Sequence, residues 1–287
     1  EFLWSFDTLI RDPESSESLP YTVGGANVWT TMSVDSQRDL VFIPTASASP
    51  NFYGGLRPGD NRYANSVLAL RAQTGELAWH YQTIHHDIWD WDLPSHPLLV
   101  DITTENGKRP IVIALGKTGM VYTFHRDNGE PYFDIEEREV PTDGILGDQL
   151  SPTQPFPVKP PPLVRQGISP DDAWGVTPYE REACREMIAS ARHGGMFTPM
   201  STKGSIMYPQ VGGGANWGGG AFDPERNILI VPVAQVPFYV KLIPEENVDK
   251  ALAKTPMAGN PMGPPGLIKG TKYGLQQKPL LSPLYTP

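Results

Sequence analysis

An internal repeat constrains this chain more than any other feature. Residues 24–44 read GGANVWTTMSVDSQRDLVFIP, and residues 212–232 read GGGANWGGGAFDPERNILIVP. At one constant offset, Trp29 matches Trp217, Asp35 matches Asp223, Arg38 matches Arg226 and Pro44 matches Pro232. Each copy holds a strand, a four-residue polar turn and a second, strongly apolar strand. A shorter repeat lies between them: VLALRAQTGELAW at 67–79 and VYTFHRDNGEPYF at 121–133. Both run from apolar alternation through a polar turn to Gly-Glu and then to Trp79 or Phe133. Gly75 and Gly129 sit where such a turn needs positive φ. The opening residues, E-F-L-W, match Glu76 to Trp79 without the preceding strand, which reads as a piece of a longer protein.

Repeated supersecondary units read as stacked arrays. Strands are expected at 27–34, 40–46, 65–71 and 77–82, a four-stranded antiparallel meander and the unit of a β-propeller blade. A second unit is expected at 96–101, 110–116, 120–125 and 130–135. A proline-rich stretch, PTQPFPVKPPP at 152–162, then interrupts the pattern as extended chain or loop. A helix follows, with Ser169 as a cap, a helix-forming run from Tyr179 and Gly194 as a stop. The blade pattern resumes at 205–209, 216–223 and 228–234, and the Gly- and Pro-rich tail from about residue 251 is expected to be irregular. The expected fold is all-β: one domain over 1–287, about three to four blades of a propeller, with a helical and Pro-rich insertion at about 137–195. Propellers close with about four to eight blades, so this is part of a ring.

Composition narrows the function classes. With 31 prolines and 28 glycines, turns are plentiful and a helical bundle is disfavoured. A net charge of −9 opposes nucleic acid, whose phosphates would be repelled. The single cysteine, Cys184, cannot form an internal disulfide and reads as a small residue of the predicted helix. No stretch approaches the roughly 20 apolar residues of a membrane span, and no signal peptide is visible.

Residues 85–92, HHDIWDWD, crowd two histidines, three aspartates and two tryptophans into one stretch. On the residues alone this is a metal site, an acid/base site beside a flat ligand, or a turn with caps. Zinc would want further His or Cys at chelating spacing, and Cys184 stands alone. His85 and His86 therefore read as residues that orient the loop or line a substrate mouth, and Asp87 and Asp92 as structural. The stretch links one blade to the next, on the face where propellers keep ligands. Asp90, Lys117 in ALGKTG and Ser49 in TASASPN are expected to converge there. The glycines at 212–214 and 218–220 are not followed by the Lys-Ser/Thr of a phosphate-binding loop. They read as points of close backbone approach.

The segments GGANVWTTMSVD, GDNRYANSVLALRAQTGELAWHYQTIHHDIWDWDLP and PIVIALGKTGMVYTFHRDNGEPY resemble the pyrroloquinoline quinone (PQQ) dependent dehydrogenases, or quinoproteins. They look most similar to the membrane-bound glucose and quinate dehydrogenase branch, and the similarity runs on through DDAWG and FYVKLIP. The resemblance implies an eight-bladed propeller in the periplasm, PQQ with Ca2+ or Mg2+, a sugar or polyol substrate with glucose foremost, and membrane ubiquinone as electron acceptor. It implies Asp90 as the base that takes the substrate hydroxyl proton, Lys117 as the cation at the quinone oxygens, and Trp29 as the floor under the planar cofactor. Ser49 falls where relatives place Asn or Thr near the metal; serine is a departure. Asn216 and Trp217 lie in a segment that approaches the cofactor in some relatives. The rival readings are a non-catalytic envelope scaffold built on the same blades, and a fragment of the dehydrogenase that is itself inactive.

Overall fold

The computed structural model describes residues 2–10, 14, 18–20, 22–254 and 265–284. Two glycines, β1 (Gly24–Gly25), pair with β4 (Ala48–Ser49). Between them lie β2 (Ser33–Asp35) and β3 (Leu40–Pro44), and after them β5 (Ser66–Arg71) and β6 (Leu77–Gln82). The order β2-β3-β5-β6 is an antiparallel meander, the expected first blade. Its first strand starts at Ser33, because residues 26–32 run as irregular chain toward Trp29.

Alternation explains how this sheet is covered. Leu40 and Phe42 of β3 enter one apolar cluster while Val41 and Ile43 enter another, so both faces are buried. The first cluster continues into the second blade, β7 (Leu98–Thr104), β8 (Gly107–Leu115) and β9 (Val121–His125). The Trp79 ring sits between Phe42 and Phe124, with centroids at 5.7 and 5.9 Å. Tryptophan also fastens each segment to the next blade. Trp4 donates its indole N–H to Ala72 O at 2.9 Å, and Trp79 donates to Arg126 O at 3.0 Å. Beneath the two rings lie Gly75 and Gly129, where a Cβ would come within 2.6 and 2.5 Å of the indole. The two glycines of the short repeat thus provide positive φ (75° and 73°) and a seat for the preceding tryptophan.

Past β9 the structure departs from the expected meander. The fourth strand of the second blade shrinks to one bridge, Phe124 to Pro131. β10 (Ile135–Glu139) pairs instead with β11 (Thr153–Pro157), inside the proline-rich stretch. A short pair, β12 (Gly167–Ile168) with β13 (Gly194–Gly195), brackets the helix α1 (Pro178–Ser190). The helix starts one residue before the expected Tyr179 and is capped by Thr177, which accepts from Glu180 N at 3.2 Å. Ser169 caps only a short 3-10 turn at Pro170–Asp172, and α1 ends at Ser190, ahead of the expected stop at Gly194.

β14 (Ser205–Met207) does not share a sheet with the repeated hairpin, β15 (Ala221–Asp223) and β16 (Ile228–Ile230). It pairs with β17 (Phe238–Pro244), at the edge of a four-stranded sheet completed by the tail. Here α2 (Val248–Lys254) precedes β18 (Gly266–Leu267) and β19 (Tyr273–Pro279). The tail is therefore a helix and a strand pair in the parts described, since β19 pairs along all seven residues of β17. The expected irregularity at 255–264 lies outside the described residues. The β15–β16 hairpin lies against β7 and packs Phe222 and Leu229 onto a cluster that holds Val100, Ile111, Ile113 and Leu115. The stack runs from the Trp4 segment through the first and second blades to the β15–β16 hairpin. This is an open section of a propeller, and the described residues form no closed barrel.

Candidate functional site

The crossover between the first two blades, residues 83–97, turns on one carboxylate. Asp87 Oδ1 accepts the Trp89 N–H at 2.8 Å, and its Oδ2 accepts from Trp91 N at 2.8 Å and Asn65 Nδ2 at 2.9 Å. The Ser47 hydroxyl completes the set. Four donors on one buried aspartate fold residues 87–91 into a fixed loop. Trp89 and Trp91 stack with centroids 5.2 Å apart, and both meet the edge of Phe197. Arg57, fully buried, donates to Asp87 O and to Asn61 Oδ1 at 2.6 Å. Burial lowers its pKa to about 10.

Asp90, between the stacked tryptophans, has φ 62°, a conformation that aspartate tolerates better than most residues. Strain of this kind concentrates at functional sites. Asp90 Oδ2 accepts from Lys117 Nζ at 2.9 Å, and Oδ1 accepts from Asn51 Nδ2. Lys117 also donates to Asp92 Oδ2 at 2.7 Å. The Trp29 ring centroid lies 5.9 Å from Nζ, within cation–π range, and its indole is 45% exposed. Burial pushes the Asp90 carboxyl up to about 7, against the pull of Lys117 and with the help of Asp92. Burial pulls the Lys117 ammonium down, but Asp90 and Asp92 outweigh it and raise its pKa.

Lys117 is held through its backbone as well. Its N–H donates to Asp92 O at 3.1 Å and its carbonyl accepts from Gly214 N at 2.6 Å. A Cβ on Gly213, where φ is 81°, would come within 2.7 Å of Lys117 Cα. The glycine run at 212–214 thus allows the close approach expected of it.

The structure brings together Asp90, Lys117 and Trp29. Ser49 reaches them indirectly, its hydroxyl donating to Asn51 Oδ1 at 3.1 Å. Asn216 instead closes its own turn, donating to Gly212 O at 2.5 Å and accepting from Trp217 N at 2.7 Å. Trp217 is 74% exposed, and neither side chain hydrogen-bonds Asp90 or Lys117. Both histidines are bonded within the crossover and its surroundings. His86 is buried at φ 44° with Nδ1 on Gly59 O at 2.7 Å, and burial lowers its pKa to about 4. His85 contacts Gln82 at 2.8 Å and Glu137 at 3.1 Å. Asn51 was missed in the sequence, where only its place two residues after Ser49 marked it. Asp92, read there as structural, is also an ion-pair partner of Lys117.

Two groups can be tested against this geometry. A flat ligand with oxygen acceptors fits: an exposed indole lies beside an ammonium with one N–H uncommitted. A divalent cation fits less well. The described residues hold no group of three His, Cys, Asp or Glu side chains able to hold a metal. Ser49 Oγ and Asn51 Oδ1 alone fall short of the six to eight oxygens that calcium takes.

A four-stranded blade stacked on a three-stranded one, with a buried carboxylate–ammonium cluster at their crossover, defines a propeller protein with a polar site at a blade junction. All residues from 1 to 287 match the family described as "PQQ: Glucose/ethanol/alcohol dehydrogenase, beta-propeller domain", and the chain belongs to that family. It is 38% identical to the quinoprotein glucose dehydrogenase of Escherichia coli (strain K12), over 100% of this chain and 36% of the relative. It is 36% identical to the quinate/shikimate dehydrogenase (quinone) of Acinetobacter baylyi (strain ATCC 33305 / BD413 / ADP1), over 90% of this chain and 34% of the relative. The chain therefore spans about a third of the length of these relatives. Among solved structures, the quinohemoprotein alcohol dehydrogenase of Comamonas testosteroni superposes with a TM-score of 0.51 at 21% identity. That match covers 78% of this chain and 27% of the other, and it shows the fold.

Proposed function

We propose that this chain forms part of the active site of a PQQ-dependent dehydrogenase that oxidises a sugar or polyol, glucose foremost, to its lactone or ketone. The observation that carries the reading is the Asp90–Lys117 pair beside the exposed ring of Trp29. Relatives named for glucose, quinate/shikimate and glycerol dehydrogenases support a polyhydroxylated substrate. The name of the quinate/shikimate relative also supports a quinone as the next acceptor; ubiquinone at the periplasmic face of the inner membrane is the corresponding proposal. No helix among the described residues is long and apolar enough to cross a membrane.

When bound, PQQ would supply a two-electron acceptor for the hydride that leaves the alcohol carbon. Trp29 offers its indole face to a planar ring system, and Lys117 offers a charged N–H to its oxygens. Asp90 takes the hydroxyl proton. A carboxylate near pKa 7 is a far better base than one at the ordinary value, while still being ionised in about half of the molecules at neutral pH. Ser49 and Asn51 present the oxygens that a Ca2+ or Mg2+ ion would meet from this side of the site, with its remaining ligands supplied elsewhere. Asn216 and Trp217 are proposed to face the cofactor from the glycine-rich segment.

Replacing Asp90 by Asn tests the reading. Turnover of glucose with PQQ and a dye acceptor is expected to fall by about 10²–10⁴-fold, while PQQ still quenches tryptophan fluorescence. In the parent, kcat/KM should rise with pH and level off above about 7, because the protonated carboxyl accepts no proton. A variant as fast as the parent, or a limb centred below pH 5, would remove Asp90 as the buried base.

A further inference from the structure

The ammonium of Lys117 carries three N–H donors, two of them engaged. The two partners differ. Asp92 and Lys117 are equally enclosed, their side chains each 7% exposed. They clasp twice, Nζ to Oδ2 at 2.7 Å and Lys117 N to Asp92 O at 3.1 Å. The other Asp92 oxygen is fixed by Ser47 N at 2.7 Å. Asp90 is the open partner, at 2.9 Å and 22% exposed. The third N–H has no partner among the described residues, and the Trp29 ring is the nearby aromatic surface.

We infer that Asp92 is a positioning residue: it anchors the Lys117 ammonium so that Asp90 is not its sole counter-ion and one N–H is kept for an acceptor on a ligand beside Trp29. Without this anchor the buried ammonium would have a single carboxylate to turn to. Asp90, already bonded to Nζ at 2.9 Å and to Asn51, would then be its sole counter-ion. A carboxylate that alone balances a buried ammonium loses basicity, and an ammonium drawn wholly to it is displaced from the ligand. The anchoring is a property of the chain itself; its use in catalysis rests on the function proposed above.

The test uses Asp92→Asn, which keeps Oδ1 for the Ser47 N–H and removes the charge, with Asp92→Glu as the charge-restoring variant. Acetylation of the PQQ-free protein by limiting acetic anhydride at fixed pH, read by mass spectrometry, reports how firmly each lysine holds its proton. Lys117 labelling should rise about tenfold in Asp92→Asn, the equivalent of one unit of proton affinity. It should return toward the parent in Asp92→Glu and leave exposed Lys159 unchanged. PQQ affinity, followed by fluorescence quenching, should weaken about tenfold in Asp92→Asn, yet Asp92→Asn should add nothing in a Lys117→Met background. Folding of each variant is checked by near-ultraviolet dichroism. A folded Asp92→Asn protein with parental Lys117 labelling overturns the inference, as do additive effects of Asp92→Asn and Lys117→Met on PQQ affinity. If Lys117 labelling responds but the parent binds no PQQ, the anchor stands and the proposed function fails. If PQQ binds and only Asp90→Asn has an effect, the function stands and the anchor fails.

Discussion

The hairpins β2–β3 and β15–β16 are two copies of one design in different surroundings. Their registers agree pair for pair, from Ser33↔Phe42 and Ala221↔Ile230 to Asp35↔Leu40 and Asp223↔Ile228. Their turns agree too: Arg38 pairs with Asp35 at 3.1 Å and Arg226 with Asp223 at 2.7 Å, while Asp39 and Asn227 take φ of 53° and 54°. Yet Phe42 is 0% exposed and its counterpart Ile230 is 60% exposed. In the first copy that face meets Trp79 and the next blade; in the second, the described residues place nothing there. Hairpin geometry is thus written locally in the turn, whereas burial comes from the neighbouring sheet.

An aspartate at each of the two equivalent strand positions gives the widest contrast. Phe42→Asp buries an unpaired charge and should cost about 4 kcal/mol or more, whereas Ile230→Asp should be nearly silent in a urea titration. Equal losses would mean that the second hairpin is covered in solution. The two tryptophans follow in size. Trp29→Ala should weaken PQQ binding by up to about tenfold, and Trp217→Ala by less than that. A larger effect at Trp217 would shift the cofactor toward the second copy. Asp35 also accepts from Arg126 at 3.0 Å, so Asp35→Asn should cost about 2 kcal/mol. Asp223→Asn, at an exposed pair, should melt with the parent. Asp39→Gly and Asn227→Gly should both stay within about 0.5 kcal/mol of the parent and share a sign, if the turns are as autonomous as their geometry says.

Much of this was legible because repeats preserve turn chemistry. Gly75, Gly129, Asp35 and Arg38 each carry a local rule, and a constant offset doubles every signal. The first blade and the cluster of Asp90, Lys117 and Trp29 followed from those rules and from family resemblance. What escaped depends on distant contacts. β11 contains Pro155 and Pro157, which argue against a strand until β10 supplies partners. β19, YGLQQKP, has almost no apolar alternation and is ordered by β17. Asn51 touches Asp90 across 39 positions, and Asp92 meets Lys117 across 25, distances at which no periodicity speaks.

The tryptophan clasps carry a consequence for how such a chain tolerates change. Trp79 grips Arg126 O and seats on Gly129, two contacts made within the neighbouring blade itself. The angle between neighbouring blades is therefore set by a rivet and not by the length of the connecting cord. The exposed part of a long excursion, such as the helix α1, can then vary in length while the wedge angle is kept, provided that Phe197 stays against Trp89 and Trp91. A designer who wished to graft a new loop onto this scaffold would leave the rivets and the crossover that holds Asp87, Asp90 and Asp92 alone, and work in the exposed connectors.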